Sequence, residues 1–526
     1  MNLAELEKEI TRRWPAGVKI HGSSDTRFLV FESAVGLLRE ICGWLFTEVS
    51  LPFGGTIAEE GAEEWELRHV FYGVKGGGWV QVTAHQPLAL KTFPSISTTV
   101  HAASWQEREI EDLFGLTFEG HPLLGDFVLH NDIWQEGVEP MRHCFNARTP
   151  VVRRRPDPDW RPRRIVHAPG SFIMPIGPVF AGANESVHLE LETVGEDVIR
   201  AFPRLFYKYR GVEKIAEGRS VQDVLLLAER FSATTAFAHA LAFCQAAENI
   251  CAVEVPVRAA VLRVFIAELE RFRHHVGVIS AICESTALAV AASQTAILEE
   301  ELLRLSAVLS GHRYLFGLAA PGGMARDLDN AACGDTFRKC QEVLSRLEGL
   351  EEMLRFSSSF LDRLEEVGII SRDEARNHSL VGPMARASGV VHDLRKIQPY
   401  SGYQRFTFEI PREREGDGYA RLRVLFEESR QSVQLMEQAA AVLEPGPVAV
   451  SMPLQTGAAS GWVEAPRGAA FHWLRLGEDG RVARYRINPP SFINWHGFHL
   501  CVENFAFQDL PIILATLDLS VAENDR

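Results

Sequence analysis

Residues 258–283 read RAAVLRVFIAELERFRHHVGVISAIC. Together with Val257 just before it, the stretch places apolar residues at Val257, Val261, Val264, Leu269, Phe272 and Val276, mostly in steps of three and four. That period lays one apolar stripe along a helix. Helical patterns also cover residues 221–251, 285–309, 335–366 and 418–443. Four or five helices of this length must bury their stripes against one another, which predicts a helical-bundle core. None reads as a membrane span, which needs roughly 20 strongly apolar residues. Residues 231–247 contain Thr234, Thr235 and His239, residues 285–298 are short and rich in Ala and Ser, and residues 445–463 carry Pro445, Pro447 and Pro453.

The sequence before this core differs. Residues 2–14 form an amphipathic pattern, 28–31 a strand, and 35–49 a helix with Leu37, Leu38, Ile41, Leu45 and Phe46 on one side. Residues 65–72 and 79–84 alternate like strands around the glycine-rich turn 75–78. A short acidic helix follows and stops at Gly115. Residues 1–140 therefore read as an α/β unit. Residues 141–170 hold Arg142, Arg148, Arg153, Arg154, Arg155, Arg161, Arg163 and Arg164, interrupted by Pro150, Pro156, Pro158, Pro162 and Pro169, and read as an extended basic linker. From 171 onward one large unit is expected. It includes a hairpin of 186–191 with 197–202 turning at Gly195-Glu196, and a small sheet over 461–488 with a turn at 478–480. Pro489-Pro490 then leads into a final helical stretch. The fold class is α+β.

Composition excludes several classes of function. Apolar residues make up 46% and charged residues 23%, enough to fill a sizeable core. The formal net charge of −15 argues against a nucleic-acid binder. The charged start MNLAELEKEITRRW has no apolar signal core, so a cytoplasmic location is expected. The eight cysteines form no C-x-x-C and read as buried, inert thiols. Ala320-Pro321-Gly322-Gly323 lacks the lysine of a phosphate loop and reads as a turn, and no nucleophile–base string marks a free soluble enzyme.

Several strings carry a family resemblance. Glu107-Arg108-Glu109-Ile110-Glu111-Asp112-Leu113-Phe114-Gly115 with His121-Pro122 resembles the signature of the 30 kDa subunit of respiratory complex I. Tyr209-Arg210-Gly211-Val212-Glu213-Lys214, Phe237-Ala238-His239, Glu268-Leu269-Glu270-Arg271, Arg386-Ala387-Ser388-Gly389, Pro399-Tyr400-Ser401-Gly402-Tyr403, Glu464-Ala465-Pro466-Arg467-Gly468 and Pro489-Pro490-Ser491-Phe492 resemble the 49 kDa subunit and the large subunits of membrane-bound [NiFe] hydrogenases. The fused order resembles the large subunits of formate hydrogenlyase and hydrogenase-4. The resemblance implies a 30 kDa-like domain over 1–140 and a 49 kDa-like or hydrogenase-like domain over 171–526.

The resemblance also implies where metal ligands would stand. Its hydrogenase members hold nickel and iron with two cysteine pairs, one in R-x-C-x-x-C and one in D-P-C-x-x-C. The matching positions here are Ser232 and Thr235, and Ser520 and Glu523. Hydroxyls are hard and stay protonated near neutral pH, so they do not replace thiolates. The chain also stops at Arg526, where maturing hydrogenases of this group carry a removable peptide, and a protein that receives no nickel is expected. In complex I the quinone-headgroup histidine matches Asn184 and its partner tyrosine matches Ala233, which weakens a quinone site, although the Asn184 amide can still donate. Glu185 follows the hydrogenase side, where a glutamate carries protons.

By resemblance Glu185, Arg230, His239, Arg467 and Asp518 converge on an empty ligand cavity as candidate cavity and proton-path residues. Structural alternatives stand beside each. Glu185 can be a hydrogen-bonded structural acid, His239 a satisfied core histidine, and Arg230 and Arg467 salt-bridge partners of Asp518 or Glu185. The Glu107-Arg108-Glu109 run reads as an interface or salt-bridge element.

The expected function is that of a nickel-free subunit in a membrane-associated complex I-like or hydrogenase-4-like oxidoreductase. It would act in electron transfer linked to NADH or quinone and coupled to ion translocation, and would be inactive as an isolated chain. The chain would bind no cofactor itself, with quinone as a candidate acceptor. Expected partners are a small iron–sulfur subunit and membrane-embedded antiporter-like and quinone-site-like subunits, holding it on the inner face of the cell membrane. The alternative is a non-catalytic scaffold or coupling subunit that keeps the hydrogenase fold.

Overall fold

Asn2 accepts a hydrogen bond from the Glu5 N–H and the Glu5 side chain accepts one in return, a capping box that starts the Leu3–Arg13 helix. The computed structural model describes every residue except 23–24, 150, 152–157, 160, 162–163, 168, 181–184 and 454. Strands Val18–His21, Phe28–Ser33, Trp79–Pro87, Glu64–Tyr72 and Phe53–Glu60 lie in that spatial order in one five-stranded sheet. Phe28–Ser33 and Trp79–Pro87 pair in parallel, and the other neighbours are antiparallel. A parallel pair needs a crossover, and the Leu38–Thr47 helix within it buries Leu38, Ile41, Cys42, Trp44 and Leu45.

The Phe53–Glu60 strand has little sequence signal, because FGGTIAEE offers two glycines and two acids. Tertiary contacts define it instead. Gly55 has φ +148°, and a Cβ there would lie 3.1 Å from Asn488 Nδ2. The Gln106 side chain accepts from the Thr56 N–H and donates to Asn488 Oδ1 at 3.2 Å. The acidic helix spans Ser104–Phe114 and ends on Gly115 at φ 72°, as its sequence predicts.

Among the described residues between Glu119 and Ser171 there is no helix or strand. Arg153, Arg154, Arg155 and Arg163 of the basic segment, with Pro150, Pro156 and Pro162, lie outside the described residues. The second half opens with strands Ser171–Ile176, His188–Val194 and Asp197–Arg204, joined at the far edge by Phe505–Ala506. The predicted hairpin forms, with Gly195 at φ 64° in its turn.

The bundle consists mainly of Val221–Arg230, Ala236–Ile250, Val257–Ser285, Ala289–Ser310, Asn330–Arg355 and Gly418–Ala441. The single helix expected over 221–251 is two helices. A 3-10 turn at Ala233–Thr235 separates them. Ser and Thr compete for backbone hydrogen bonds there. The Glu270 carboxylate then accepts from Phe237 N–H at 2.8 Å and Ala238 N–H at 3.0 Å, satisfying the start of the second helix from outside. The helix expected over 335–366 ends at Arg355, and only the short turn Ser358–Leu361 follows.

A three-stranded antiparallel sheet, Gly457–Ala465, Gly468–Leu476 and Val482–Asn488, packs on the Ala236–Ile250 helix. Gly461 makes the close approach, since a Cβ there would fall 2.0 Å from Ala242 O. The last stretch is not one helix. It is Pro490–Asn494, His496–Val502, Leu510–Leu517 and Val521–Asn524.

The two halves share apolar cores. Trp79 of the first half packs on Trp462 and Phe471 of the second at centroid distances of 5.2 and 5.0 Å. Phe127 meets Phe206 at 4.9 Å, and Trp105 meets Phe492 at 6.0 Å. One buried Trp removes about 150–250 Å² from water, which is roughly 4–6 kcal/mol gross at 25 cal/mol per Å². Among the described residues no helix is long and apolar enough to cross a membrane.

Candidate functional site

Four separate segments meet where the resemblance places the metal ligands. Ser232 and Thr235 come from the turn that breaks the 221–251 pattern. Arg467 comes from the tight turn between Gly457–Ala465 and Gly468–Leu476. Ser491 comes from the Pro490–Asn494 helix, and Ser520 and Glu523 from the chain's last helix. Ser520 is the N-cap of that helix and accepts from the Glu523 N–H at 3.2 Å, so capping aims Glu523 inward.

Glu523 is fully buried and lies at the centre. Its Oε1 accepts from Arg467 Nη1 at 3.2 Å, Thr235 Oγ1 at 3.2 Å and Ser232 Oγ at 3.4 Å. Its Oε2 accepts from the Ser491 N–H at 3.1 Å. The Ser232 and Thr235 hydroxyls lie 2.8 Å apart. Burial works against the charge, but the Arg467 guanidinium and the His239 and Ser491 contacts outweigh it and hold the carboxyl well below the usual range.

Asp518 adds a second carboxylate, 3.2 Å from Arg467 Nη2 and 2.6 Å from His274 Nε2. Burial opposes its charge too, and Arg467 with His274 keeps its carboxyl below the ordinary value. Arg467 thus bridges both acids and also donates to the Asp518 carbonyl at 2.9 Å and to Thr234 Oγ1 at 3.1 Å.

His239 is fully buried, with its Nε2 3.7 Å from Glu523 Oε1 and its Nδ1 3.2 Å from His472 Nε2. His472 Nδ1 in turn lies 2.8 Å from the Tyr485 hydroxyl. Burial drives His472 far below the ordinary histidine value, so it is neutral. This row can be polarised one way, with Tyr485 donating to His472, His472 to His239, and His239 Nε2–H facing Glu523.

Two of the five expected site residues depart from expectation. Arg230 does not join the cluster. Its side chain is 48% exposed, pairs with Glu229 at 2.8 Å and lies over the Phe316 ring, because the Val221–Arg230 helix ends with that residue facing outward. Glu185 is exposed rather than buried. Its Oε2 accepts from the Val521 N–H at 2.5 Å, so it meets the cluster at the first turn of the last helix. The groups expected around an open cavity bond one another directly.

Sequence reasoning missed His274, Ser491, His472, Tyr485 and Glu270. Ser491 and Glu270 lie in quoted strings, whereas nothing local marks the others. Glu270, beside the cluster, is pushed up to about 7 by burial, against the pull of Arg273 and two backbone N–H groups. Asn184 falls outside the described residues, and Ala233 is exposed and offers no donor.

The residues do not fit a thiolate-held nickel–iron centre. The four positions supply three hydroxyls and a carboxylate, and the carboxylate oxygens already accept from a guanidinium and three other donors. Among the described residues no three His, Cys, Asp or Glu side chains are placed to hold a metal ion. All eight cysteines are free and seven are buried, with burial pushing Cys340 and Cys283 up to about 12.

Glu109 of the acidic helix lies at the seam, 2.6 Å from Arg486 and 2.9 Å from Arg526. Glu213 meets the same two arginines and Arg484. Glu109 is therefore a salt-bridge element between the halves, whereas Glu107 accepts from Ser95 and the Ile96 N–H within the first half.

Known families match along the chain. Respiratory-chain NADH dehydrogenase, 30 Kd subunit, matches residues 38–151, and its 49 Kd subunit matches residues 291–456 and 448–526. Nickel-dependent hydrogenase matches residues 210–278. Formate hydrogenlyase subunit 5 of Escherichia coli (strain K12) is 30% identical over 457 residues, covering 85% of this chain and 78% of that protein. Hydrogenase-4 component G of the same organism is 30% identical over 459 residues, with the same coverage. An NADH-quinone oxidoreductase subunit of Solibacter usitatus (strain Ellin6076) is 30% identical over 361 residues, 68% of this chain and 97% of that protein. The chain belongs to the family of fused 30 kDa/49 kDa complex I-like subunits that includes the formate hydrogenlyase and hydrogenase-4 subunits.

Proposed function

We propose that the chain is a nickel-free subunit of a membrane-associated oxidoreductase complex, acting in electron transfer coupled to ion translocation. The observation that carries this reading is Glu523. A buried carboxylate stands at a position where the hydrogenase members of the family place a thiolate, and it is paired with Arg467 at 3.2 Å. Electrons would arrive from a neighbouring small iron–sulfur subunit. Antiporter-like and quinone-site-like membrane subunits would hold the chain on the inner face of the membrane, with quinone as the candidate acceptor. Glu523, Asp518 and Arg467 would respond to a partner's change of charge by exchanging ion pairs, and Glu185 would take or give protons at the surface end.

A second reading is a coupling scaffold with no redox substrate. It is favoured by the mutual saturation of Glu523, Ser232, Thr235 and Arg467.

The deciding experiment purifies the complex from membranes and measures metal and turnover together. Nickel below about 0.1 per chain is expected, and about one per chain would overturn the ligand argument. Quinone-dependent turnover that falls in Glu185→Gln supports the redox reading. Turnover unchanged in Glu185→Gln and Glu523→Gln supports the scaffold.

A further inference from the structure

The seam between the halves holds a cleft of 340 Å³ with three guanidiniums in its wall, Arg108 from the first half and Arg200 and Arg204 from the second. Two carboxylates, Asp126 and Glu503, line it with them. Both are engaged. Asp126 accepts from Arg204 at 3.2 Å and from the Asn131 N–H at 2.9 Å, and Glu503 accepts from the Ala201 N–H at 3.3 Å. Three fixed positive charges against two negative ones leave the cleft basic, in a chain whose net charge is −15. The field of distant acids is screened beyond about 8 Å at physiological salt, so the local sign decides what enters.

The guanidiniums have donors to spare. Arg108 gives Nη2 to the Gly125 and Asp126 carbonyls at 3.1 and 3.4 Å, and Arg204 gives Nη2 to the Asp126 and Asp132 side chains. Among the described residues the Nη1 groups of both have no hydrogen-bond partner. Arg200 has neither a hydrogen bond nor an ion pair among the described residues, and its guanidinium lies over the Phe202 ring at 5.8 Å. A planar guanidinium short of acceptors is suited to take an oxyanion through two parallel N–H bonds.

Histidines in the same wall have the opposite need. A carbonyl only accepts, so His101 Nδ1 donates to Ser97 O at 3.2 Å, His378 Nδ1 donates to Glu374 O at 3.0 Å, and His496 donates to the Ala102 carbonyl. Each neutral ring then presents Nε2 as a lone pair that takes a proton from a donor. His378 stands between the other two, its ring centroid 5.5 Å from that of His101 and 6.1 Å from that of His496. At His496, 6% exposed, Nε2 has no partner in the fold. One group that both accepts from guanidiniums and donates to an imidazole satisfies the two sets of atoms together.

We propose that the cleft binds a phosphate-type oxyanion that also carries an O–H, either hydrogenphosphate or the phosphate of a hydroxylated organic molecule. Its charged oxygens accept from Arg108, Arg200 and Arg204, and its O–H donates to an imidazole Nε2. Sulfate has the shape and charge of hydrogenphosphate but no proton to give near neutral pH, so it leaves the lone pairs unmet. Trp105, Phe127 and Leu205 line the same cleft and offer an apolar surface to an organic body. The proposal is independent of the function assigned above.

The test is calorimetric titration of the full chain, near neutral pH and at matched ionic strength, with inorganic phosphate, glycerol 1-phosphate and sulfate. Saturation at one phosphate per chain is expected, with sulfate at least about tenfold weaker. The tighter of phosphate and glycerol 1-phosphate identifies the occupant as the free ion or as an organic phosphate. Arg200→Gln removes a guanidinium that the fold leaves unpaired and should weaken binding at least about tenfold. Arg338→Gln, exposed and outside the cleft, should leave it unchanged. Absence of saturable binding by both phosphates, sulfate bound as tightly as phosphate, or equal losses in Arg200→Gln and Arg338→Gln overturns the site. Circular dichroism of the variants separates misfolding from ligand loss, and the sulfate comparison decides without any variant.

Discussion

Arg467 is the residue whose removal tests the site most directly. Its Nη1 lies 3.2 Å from Glu523 Oε1 and its Nη2 3.2 Å from Asp518 Oδ1. At an effective dielectric near 20, each pair is worth roughly 5 kcal/mol gross. Desolvation offsets most of that, yet removing one partner alone leaves a buried charge and costs about 3–5 kcal/mol. Arg467→Met should therefore destabilise the chain by about that amount. Glu523→Leu alone should do likewise, because it leaves the guanidinium with Asp518 only. The double variant replaces the pair with apolar groups and should lose at least about 2 kcal/mol less than the sum of the singles. Urea unfolding followed by tryptophan fluorescence, compared at equal slope, measures all four proteins. The pH arm has a definite sign. Glu523 and Asp518 both have depressed folded values, so their contribution is whole above the unfolded carboxyl value near 4 and fades as pH falls below it. The advantage of the wild type over Arg467→Met should shrink as pH falls below about 4. Singles that add to within about 0.5 kcal/mol in the double would refute the reasoning.

Other perturbations have equally definite outcomes. Glu270 and Glu107, each pushed up to about 7 mainly by burial, make stability fall as pH rises from 4.5 to 7. Glu270→Gln should flatten that fall by up to about 1.4 kcal/mol per pH unit, read from unfolding midpoints across the range. Glu109→Gln leaves Arg486 and Arg526 with Glu213 alone and should cost about 3 kcal/mol, seen as faster limited proteolysis between the halves. Gly461→Ala drives a Cβ against Ala242 O and Ala246 N, so a loss of about 1–3 kcal/mol or more is expected in a thermal melt.

Much of the fold is legible because local signals agree with it. The 257–276 stripe, the turn at Gly195 and the stop at Gly115 all form where their sequence places them. The break at 232–235 is legible only in part. Its Ser and Thr weaken a helix, but the cap that fixes the new start is Glu270, more than thirty residues away. Arg230 misleads because a motif gives its position and not its direction, which is set by the helix end and Phe316. His274 and His472 lie inside a helix and a strand whose patterns give no hint that they face Asp518 and His239. Proximity between distant segments is a property of packing, and a single sequence does not carry it.

The aromatic seam bears on how such chains can be divided. Trp79 against Trp462, Phe127 against Phe206, and Glu109 between Arg486 and Arg526 would hold the halves together as two separate polypeptides. The peptide joining them raises the odds of encounter and adds little adhesion. Severing the peptide that joins the halves should yield two fragments that still co-migrate.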